Sequence, residues 1–369
     1  MAPDARLLKE SLAHVESRSD QLVLRFYALL FGERPDLREL FPAAMDTQRD
    51  RFFNALVHVV QGAERLEFRQ DYLAQLARDH RKYGVRPDHY DAVGRALIGA
   101  LRLELGDAWT AAMEQEWAST YALISRMMVE AAERDAQENP AWWMGEVISH
   151  RRRANDIAVL TVRPDSHFPY EAGQHVGIET ARWPRVWRPY SIANAPRDDG
   201  LLELHVRAVG AGWVSSALVY HTQPGDTVRL SAARGPMRLS ADSSQPVVCV
   251  AGGTGLAPIK ALVEEIARSQ PQRTTHLFFG ARQHRDLYDL QALSDLMTMH
   301  PRLVVVPAVS HDSSYVGERG LISDVAFRYG AWDSHDVYVC GSADMVRTTV
   351  GGLQERGVSL ARIRYDDFG

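Results

Sequence analysis

Cysteine is scarce: Cys249 and Cys340 are the only two in 369 residues, too few for a disulfide framework. Each lies in a strand-like apolar run, so a reducing, cytoplasmic setting is the expectation. Long apolar runs are also missing, and no stretch approaches the roughly 20 residues that a membrane-spanning helix needs. The N-terminal MAPDARLLKESLAHVESRSDQ mixes acids with bases and has no apolar core of signal-peptide length. Neither sign of charge dominates, because 42 Lys and Arg face 47 Asp and Glu for a net charge of −5. That balance gives no electrostatic pull toward nucleic acid or an anionic membrane, so neither is expected as a partner. The short basic run Arg151-Arg152-Arg153 reads as a solvated edge. Low-complexity tracts and internal repeats are absent. What remains is an ordinary globular composition, 46% hydrophobic and 24% charged, in a chain long enough for two or three domains.

Three textures follow one another. Residues 1–139 show helical periodicity and no strand-like alternation. DQLVLRFYALLFGERPDLRELF sets Val23, Tyr27 and Leu30 on one stripe, and DTQRDRFFNALVHVVQG sets Gln48, Phe52, Ala55 and Val59 on one face. In LAQLARDHRKYGVRPDHY, Leu76, Ala77 and His80 share a face just before a Gly-Val-Arg-Pro stop. An all-α first domain is predicted. Over 140–243 come short runs (EVISH, IAVLTV, HVGIET, LLELHVRAV, DTVRLSA) split by turn signals, which predict a small antiparallel β-barrel. Over 244–369, PVVCVAG, THLFFGA, RLVVVPAVS and DVYVCGS alternate with helical stretches and predict a doubly wound α/β domain.

Several segments carry chemistry. In VVCVAGGTGLAPIKALVEEIA, Gly252, Gly253 and Gly255 let a backbone approach a pyrophosphate at a helix N-terminus, and Pro258 suits a first helical turn. A glycine turn alone is weak evidence for a nucleotide. WRPYSIANAP offers the planar fork of Arg188 for phosphate, the Tyr190 ring for an isoalloxazine, and the Ser191 hydroxyl. GWVSSAL places hydroxyls at a helix start, where they meet a second phosphate oxygen. Read singly, each of these is equally an irregular turn with buried aromatics. His80, read singly, is a core histidine.

Together and in this order, Arg-x-Tyr-Ser, Gly-x-x-Ser, GGTGLAP and VYVCGS over about 145–369 resemble the ferredoxin–NADP reductase-like flavoproteins. The resemblance implies an FAD site on the barrel at Gln174, His175, Arg188, Pro189, Tyr190 and Ser191. Arg207 and the Gly212, Val214, Ser215, Ser216 turn belong to the same implied site. For NAD(P) it implies Gly252, Gly253, Thr254, Gly255, Pro258 and Arg282, with Cys340-Gly341 beside the nicotinamide and Phe368 near the flavin. Hydride chemistry between nicotinamide and flavin needs the two rings to meet at a domain interface. Flavin can then release electrons singly, so a one-electron acceptor is expected.

The helical domain supplies one by resemblance. LARDHRKYGVRPDHYDAVGRAL is similar to the proximal segment of bacterial globins, and RFYALLFGERPDLRELFP to their distal helix and corner. The likeness implies His80 as proximal haem-iron ligand, Tyr27 and Gln48 as distal donors, and Phe41 as the corner phenylalanine packed on haem. It implies Tyr90 as the tyrosine that tunes the histidine. His14, His58 and His89 fit poorly as ligands. The whole chain resembles the flavohaemoglobins, which implies haem b, FAD and NADH, with NADPH left open. It also implies O2 and NO as small-molecule partners, nitric oxide dioxygenase activity, and a monomer or weak dimer.

The chain departs from that family at three places. Asp79 stands where lysine commonly precedes the proximal histidine, placing an acid near the haem. The acid expected to pair with Tyr90 falls on Ala132 in a gap-free reading, with Glu130 and Glu133 nearby. His175 replaces a tyrosine common beside the flavin, and FGARQHRDLYDL with GGTGLAP looks closer to oxygenase-type reductases. Two further readings therefore stay open: a reductase acting on a quinone, peroxide or redox partner, and an O2 or NO sensor globin with a maintenance reductase.

Overall fold

The computed structural model describes residues 5–62, 70–240 and 243–366. It divides into two units, Met1–Trp142 and Trp143–Gly369.

The first unit is helical: α1 (Ala5–Val15), α2 (Ser19–Glu33), α3 (Asp46–Gln61), α4 (Gln70–Arg81), α5 (Pro87–Leu105) and α6 (Ala111–Glu138). Local chemistry sets the ends. Pro87 opens α5 at a position where its missing N–H costs nothing, and His89 Nδ1 accepts the Arg86 N–H at 3.2 Å. The turn before it needs Gly84, whose φ of +79° lies in the left-handed region. At α6, the Thr110 hydroxyl accepts the Met113 N–H. The α2 stripe is buried as predicted, through Leu22, Val23, Phe26, Tyr27 and Leu30. On α3 the buried residues are Leu56 and Val60, so the Gln48, Phe52, Ala55, Val59 face is only half-buried.

The second unit begins with β1 (Trp143–Arg152), β2 (Ile157–Pro164), β3 (His175–Thr180), β4 (Arg188–Ser191) and β5 (Leu202–Arg207). Helix α7 (Trp213–Tyr220) and strand β6 (Thr227–Leu230) follow. The strands run antiparallel in the order β4-β3-β6-β1-β2-β5. An Ile192–Leu204 bridge brings the β4 edge to β5, which nearly closes the barrel.

Then come β7 (Val247–Gly252), α8 (Leu256–Ser269), β8 (Thr275–Ala281), α9 (Leu290–Met299) and β9 (Leu303–Val309). The chain continues through β10 (Glu318–Arg319), α10 (Ile322–Tyr329), β11 (Asp336–Cys340), α11 (Ala343–Glu355) and β12 (Ile363–Tyr365). This sheet is parallel, in the order β10-β9-β8-β7-β11-β12. The order reverses between β7 and β11, so the crevice past their C-terminal ends is where such sheets take ligands. The GGTG turn and Cys340-Gly341 sit at those two ends.

The barrel and the α/β sheet share one apolar core. Ile157, Val159, Ala172, Ala195 and Met237 of the barrel side pack with Val247, Leu256, Leu262 and Phe279. The basic run is exposed, as expected of a solvated edge. Within it Arg152 lies over the Tyr220 ring at 5.2 Å, and Arg153 reaches the buried Asp289 at 3.7 Å.

Candidate redox-cofactor sites

In the helical unit the apolar interior splits into two clusters. One contains Tyr27, with Phe41 and Phe52 packed at its margin. The other contains Leu73, Ala77, Met128 and Ala131, with Leu76 and Tyr90 at its margin. Phe41, Phe52, Leu76 and Tyr90 are all half-buried, which leaves flat apolar surface on both clusters.

His80 ends α4 beside the second cluster. Its Nδ1 lies 2.6 Å from the Leu76 carbonyl oxygen. A carbonyl only accepts, so Nδ1 carries the proton and Nε2 presents a lone pair, the tautomer a metal needs. Burial lowers the His80 pKa, opposed in part by the Leu76 carbonyl and Asp79, so the ring is neutral at physiological pH. Its neighbours are held: Arg81 pairs with Asp135 and donates to the Asn139 carbonyl at 2.8 Å. Asp79 accepts from Lys82 at 3.0 Å. The acid expected to reverse the charge near His80 is thus matched by a lysine one turn on.

Tyr27 meets Phe41 edge-on, ring centroids 5.5 Å apart, with Gln48 near its hydroxyl. Burial pushes the Tyr27 phenol up to about 12, with Gln48 and Arg49 easing the shift. It therefore remains a neutral hydrogen-bond donor. Tyr27 and Phe41, which the globin likeness names, are in contact, with Gln48 nearby. The donor types fit haem: a neutral imidazole beside one cluster, a phenol and an amide at the other.

Tyr90 packs in the cluster that contains Ala132 at its margin, whereas Glu130 and Glu133 are exposed. Its carbonyl accepts from Tyr121 at 2.7 Å, and burial pushes its phenol up to about 12. The other histidines have separate roles. His89 closes its helix cap, and the His58 ring lies 4.5 Å from that of Tyr72 at a tilt of 51°. His14 Nδ1 bonds the Glu10 carbonyl at 2.8 Å.

On the barrel, Ser191 and His175 are cross-strand partners. Arg188 and Pro189 are exposed, and Tyr190 is half-buried with its phenol pushed up by burial. Gln174 Oε1 accepts the Glu171 N–H at 2.8 Å and so closes the turn around left-handed Gly173. Ser215 Oγ is taken by Val209 N–H and the Gly212 carbonyl, and Val214 is core, which leaves Ser216 lining an open cleft. Arg207 ion-pairs with Asp156 at 3.4 Å and lies against the Gly253 turn, where a Cβ would stand 3.3 Å from its Nη1. Barrel and GGTG turn thereby meet at one arginine.

At the switch point, Gly253 has φ +55°, and a Cβ on Gly255 would strike the Cys340 backbone. These glycines let the turn rest on β11, a cradle any side chain would fill. Pro258 and Cys340 are buried, Gly341 and Thr254 are half-buried, and Arg282 is exposed at the end of β8. Phe368 lies outside the described residues.

Sequence reasoning missed three features. Asp366, 3% exposed, follows β12, and its Oδ2 has no hydrogen-bond partner among the described residues. Burial raises its pKa to about 6, and its charge helps to raise the buried Cys340 thiol. The second feature is a polar knot between barrel and α/β sheet. Lys260 donates to Glu203 at 2.6 Å and pairs with Glu264 at 3.3 Å, while His205 bonds Glu203 at 3.1 Å and Tyr288 at 2.8 Å. Glu203, His205 and Asp289 have metal-ligand spacing, but the Lys260 ammonium already takes the cation's place at Glu203. A lysine inside the apolar run LAPIKALV was the available signal. The third feature is a tryptophan pair, Trp183 and Trp213, stacked at 4.7 Å.

Comparisons with known proteins agree with this division. Residues 24–128 match the Globin family, 145–238 the Oxidoreductase FAD-binding domain and 249–351 the Oxidoreductase NAD-binding domain. The xylene/toluene monooxygenase electron transfer component of Pseudomonas putida is 35% identical over 226 residues, 60% of this chain, which spans 64% of that protein's length. The flavohemoprotein of Bacillus subtilis is 24% identical over 98% of this chain and 96% of its own. A crystal structure of flavohemoglobin from Malassezia yamatoensis with bound FAD and heme shares the fold. Its TM-score is 0.77 at 20% identity, over 99% of this chain and 98% of that one.

A globin, an FAD-binding barrel and a nicotinamide-binding sheet in one polypeptide define a haem- and flavin-dependent NAD(P)H oxidoreductase. The chain combines a globin with FAD- and NAD-binding domains in the order of the flavohaemoproteins, to which it is similar over 98% of its length. Its cofactors are haem, FAD and NAD(P)H, and electrons pass between them in the reverse of that order.

Proposed function

We propose that this protein is a nitric oxide dioxygenase that converts two NO and two O2 to two nitrates for each NAD(P)H oxidised. The carrying observation is the buried, neutral Tyr27 phenol packed on Phe41 with Gln48 nearby, on a chain whose His80 presents an Nε2 lone pair. When bound, NAD(P)H supplies a hydride, FAD divides its two electrons, and haem supplies the metal that takes O2.

The protein's own residues bind, orient and donate. His80, fixed by the Leu76 carbonyl and by its ion-paired neighbours, is the iron ligand in this reading. Tyr27 and Gln48 supply preorganised donors for negative charge developing on oxygen. Arg188, Tyr190 and Ser191 hold flavin, and Arg207 joins that site to the GGTG turn that holds nicotinamide. A monomer or weak dimer in the cytoplasm belongs to the same proposal. It is supported by the absence, among the described residues, of any helix long and apolar enough to cross a membrane.

The purified chain is expected to consume NO only when O2 and NADH are both present. NADH oxidation that ignores NO would overturn the proposal. One observation favours a second reading, a reductase for another acceptor: Tyr90 and Ala132 both border the same apolar cluster while Glu130 and Glu133 are exposed, so among the described residues of that cluster no carboxylate is set to pair with Tyr90. Quinone- or peroxide-dependent NADH oxidation faster than the NO-dependent rate would support it.

A further inference from the structure

His80 stands in the last turn of α4, one residue before the helix ends at Arg81. Helix ends are where backbone order is weakest, because the last four carbonyls lack a partner within the helix. A metal ligand needs the opposite, since it must be held to within about 0.5 Å and 10–20° of its working geometry. Something outside α4 has to stop its last turn from fraying or from turning about the helix axis.

Arg81 supplies that restraint. Leu73 and Ala77, the buried residues of α4, share one apolar cluster with Met128 and Ala131 of α6. Arg81 is the next position on the first stripe, at i+4 from Ala77, and Asp135 is the next on the second, at i+4 from Ala131. There the Arg81 guanidinium pairs with the Asp135 carboxylate and donates from Nη2 to the Asn139 carbonyl at 2.8 Å. Asn139 closes the ring: its Nδ2 donates to the other Asp135 oxygen at 3.1 Å, and its N–H to the Asp135 carbonyl at 2.8 Å. The Arg81 and Asp135 side chains are only 13% and 12% exposed, so salt screens the pair little. Asp79 and Lys82 pair within a single turn, whereas Arg81 reaches 54 positions along the chain.

We propose that Arg81 is a positioning residue for the iron ligand, acting through Asp135 and the Asn139 carbonyl. The proposal rests on His80 being that ligand. His80 stands about 100° round the helix from Arg81, so locking the rotation of Arg81 also sets the direction in which Nε2 is aimed. The anchor is the C-cap of α6, from which the chain runs on into β1 at Trp143. Without the clamp the last turn of α4 is free to rotate, and His80 holds the iron less tightly and in a wider spread of orientations.

The test uses the full chain loaded with haem and FAD. Resonance Raman of the dithionite-reduced protein reads the iron–histidine stretch, and transfer of haem to excess apomyoglobin gives the rate of haem loss. Arg81→Met and Asp135→Asn should each shift or broaden the stretch and speed haem loss roughly tenfold. The double variant should be no worse than either single, because the two groups act as one unit. Arg81→Lys, which keeps the ion pair but not the second bond, should fall between wild type and Arg81→Met, and it carries the test if Arg81→Met fails to fold. Arg78→Met, which removes a cation bonded to Gln75 on the same helix, should match wild type. A lower melting temperature with an unchanged stretch and haem-loss rate would make the pair merely structural and overturn the proposal, as would additive losses in the double variant. An iron–histidine stretch that survives in His80→Ala would instead overturn the assignment of His80 itself.

Discussion

Lys260→Met tests how the two halves of the reductase unit are held together. Lys260 is buried, with its ammonium 2.6 Å from Glu203 on β5 and 3.3 Å from Glu264 on its own helix. Burial alone would lower its pKa, but the two carboxylates outweigh that and raise it, so the lysine is charged at physiological pH. For Glu203 burial works upward, yet His205 and Lys260 hold the carboxyl well below the usual range. Removing the ammonium leaves both acids partly buried without their main cation. Breaking a buried pair from one side costs about 3–5 kcal/mol. At roughly 2–4 °C per kcal/mol for a unit of this size, the reductase melting temperature should fall by roughly 6–20 °C. Differential scanning calorimetry of the full chain, with the haem-band transition followed separately, measures it. Glu203→Gln alone should also destabilise, and the double variant should cost less than the sum of the singles. A depressed carboxyl stabilises above its unfolded pKa, so this contribution should disappear as pH falls below about 4.5. A drop of less than ~2 °C in Lys260→Met, or strict additivity, would refute the reasoning.

Three other outcomes are expected. Asp366→Asn should stabilise the reductase unit at pH 7.5 and not at pH 4. The folded pKa of about 6 is raised, so wild-type stability falls as pH rises toward and through that value, by a penalty of about 3 kcal/mol at most; parallel melting curves of wild type and variant across pH 4–8 would contradict it. Tyr27→Phe should keep the haem spectrum but lower NO turnover by roughly tenfold or more, because a buried donor is lost; unchanged turnover would remove Tyr27 from the site. His80→Ala should abolish stable haem binding, whereas Asp79→Lys, which sets like charges beside Lys82, should change the haem reduction rate with haem retained. Absorbance of the purified variants and stopped-flow traces check both.

Elements with a clear period were legible from sequence. The α2 stripe and the strand-rich runs of barrel and sheet appear where alternation placed them. Tyr27, Phe41 and Gln48 stand on three different segments, and only the globin likeness, not any local period, named them together. What was not legible depends on contacts between distant segments. The α3 face turned out half-buried: Leu56 and Val60 are the buried residues of that helix, while Phe52 packs only at the core margin. Asp366 reads as a solvated tail in RYDDFG and becomes buried only because β12 pairs with β11. Trp183 and Trp213 are 30 positions apart, and nothing local announces that their turns meet. At His80 the sequence supplied the residue, while the Leu76 carbonyl fixes the tautomer that leaves an Nε2 lone pair.

Electron flow from nicotinamide through flavin to haem is tested most directly by mixing the full haem- and FAD-loaded chain with NADH in the absence of oxygen. The flavin absorbance should bleach first, and the haem bands should then shift from the ferric to the ferrous spectrum. Bleached flavin beside haem that stays ferric would contradict it.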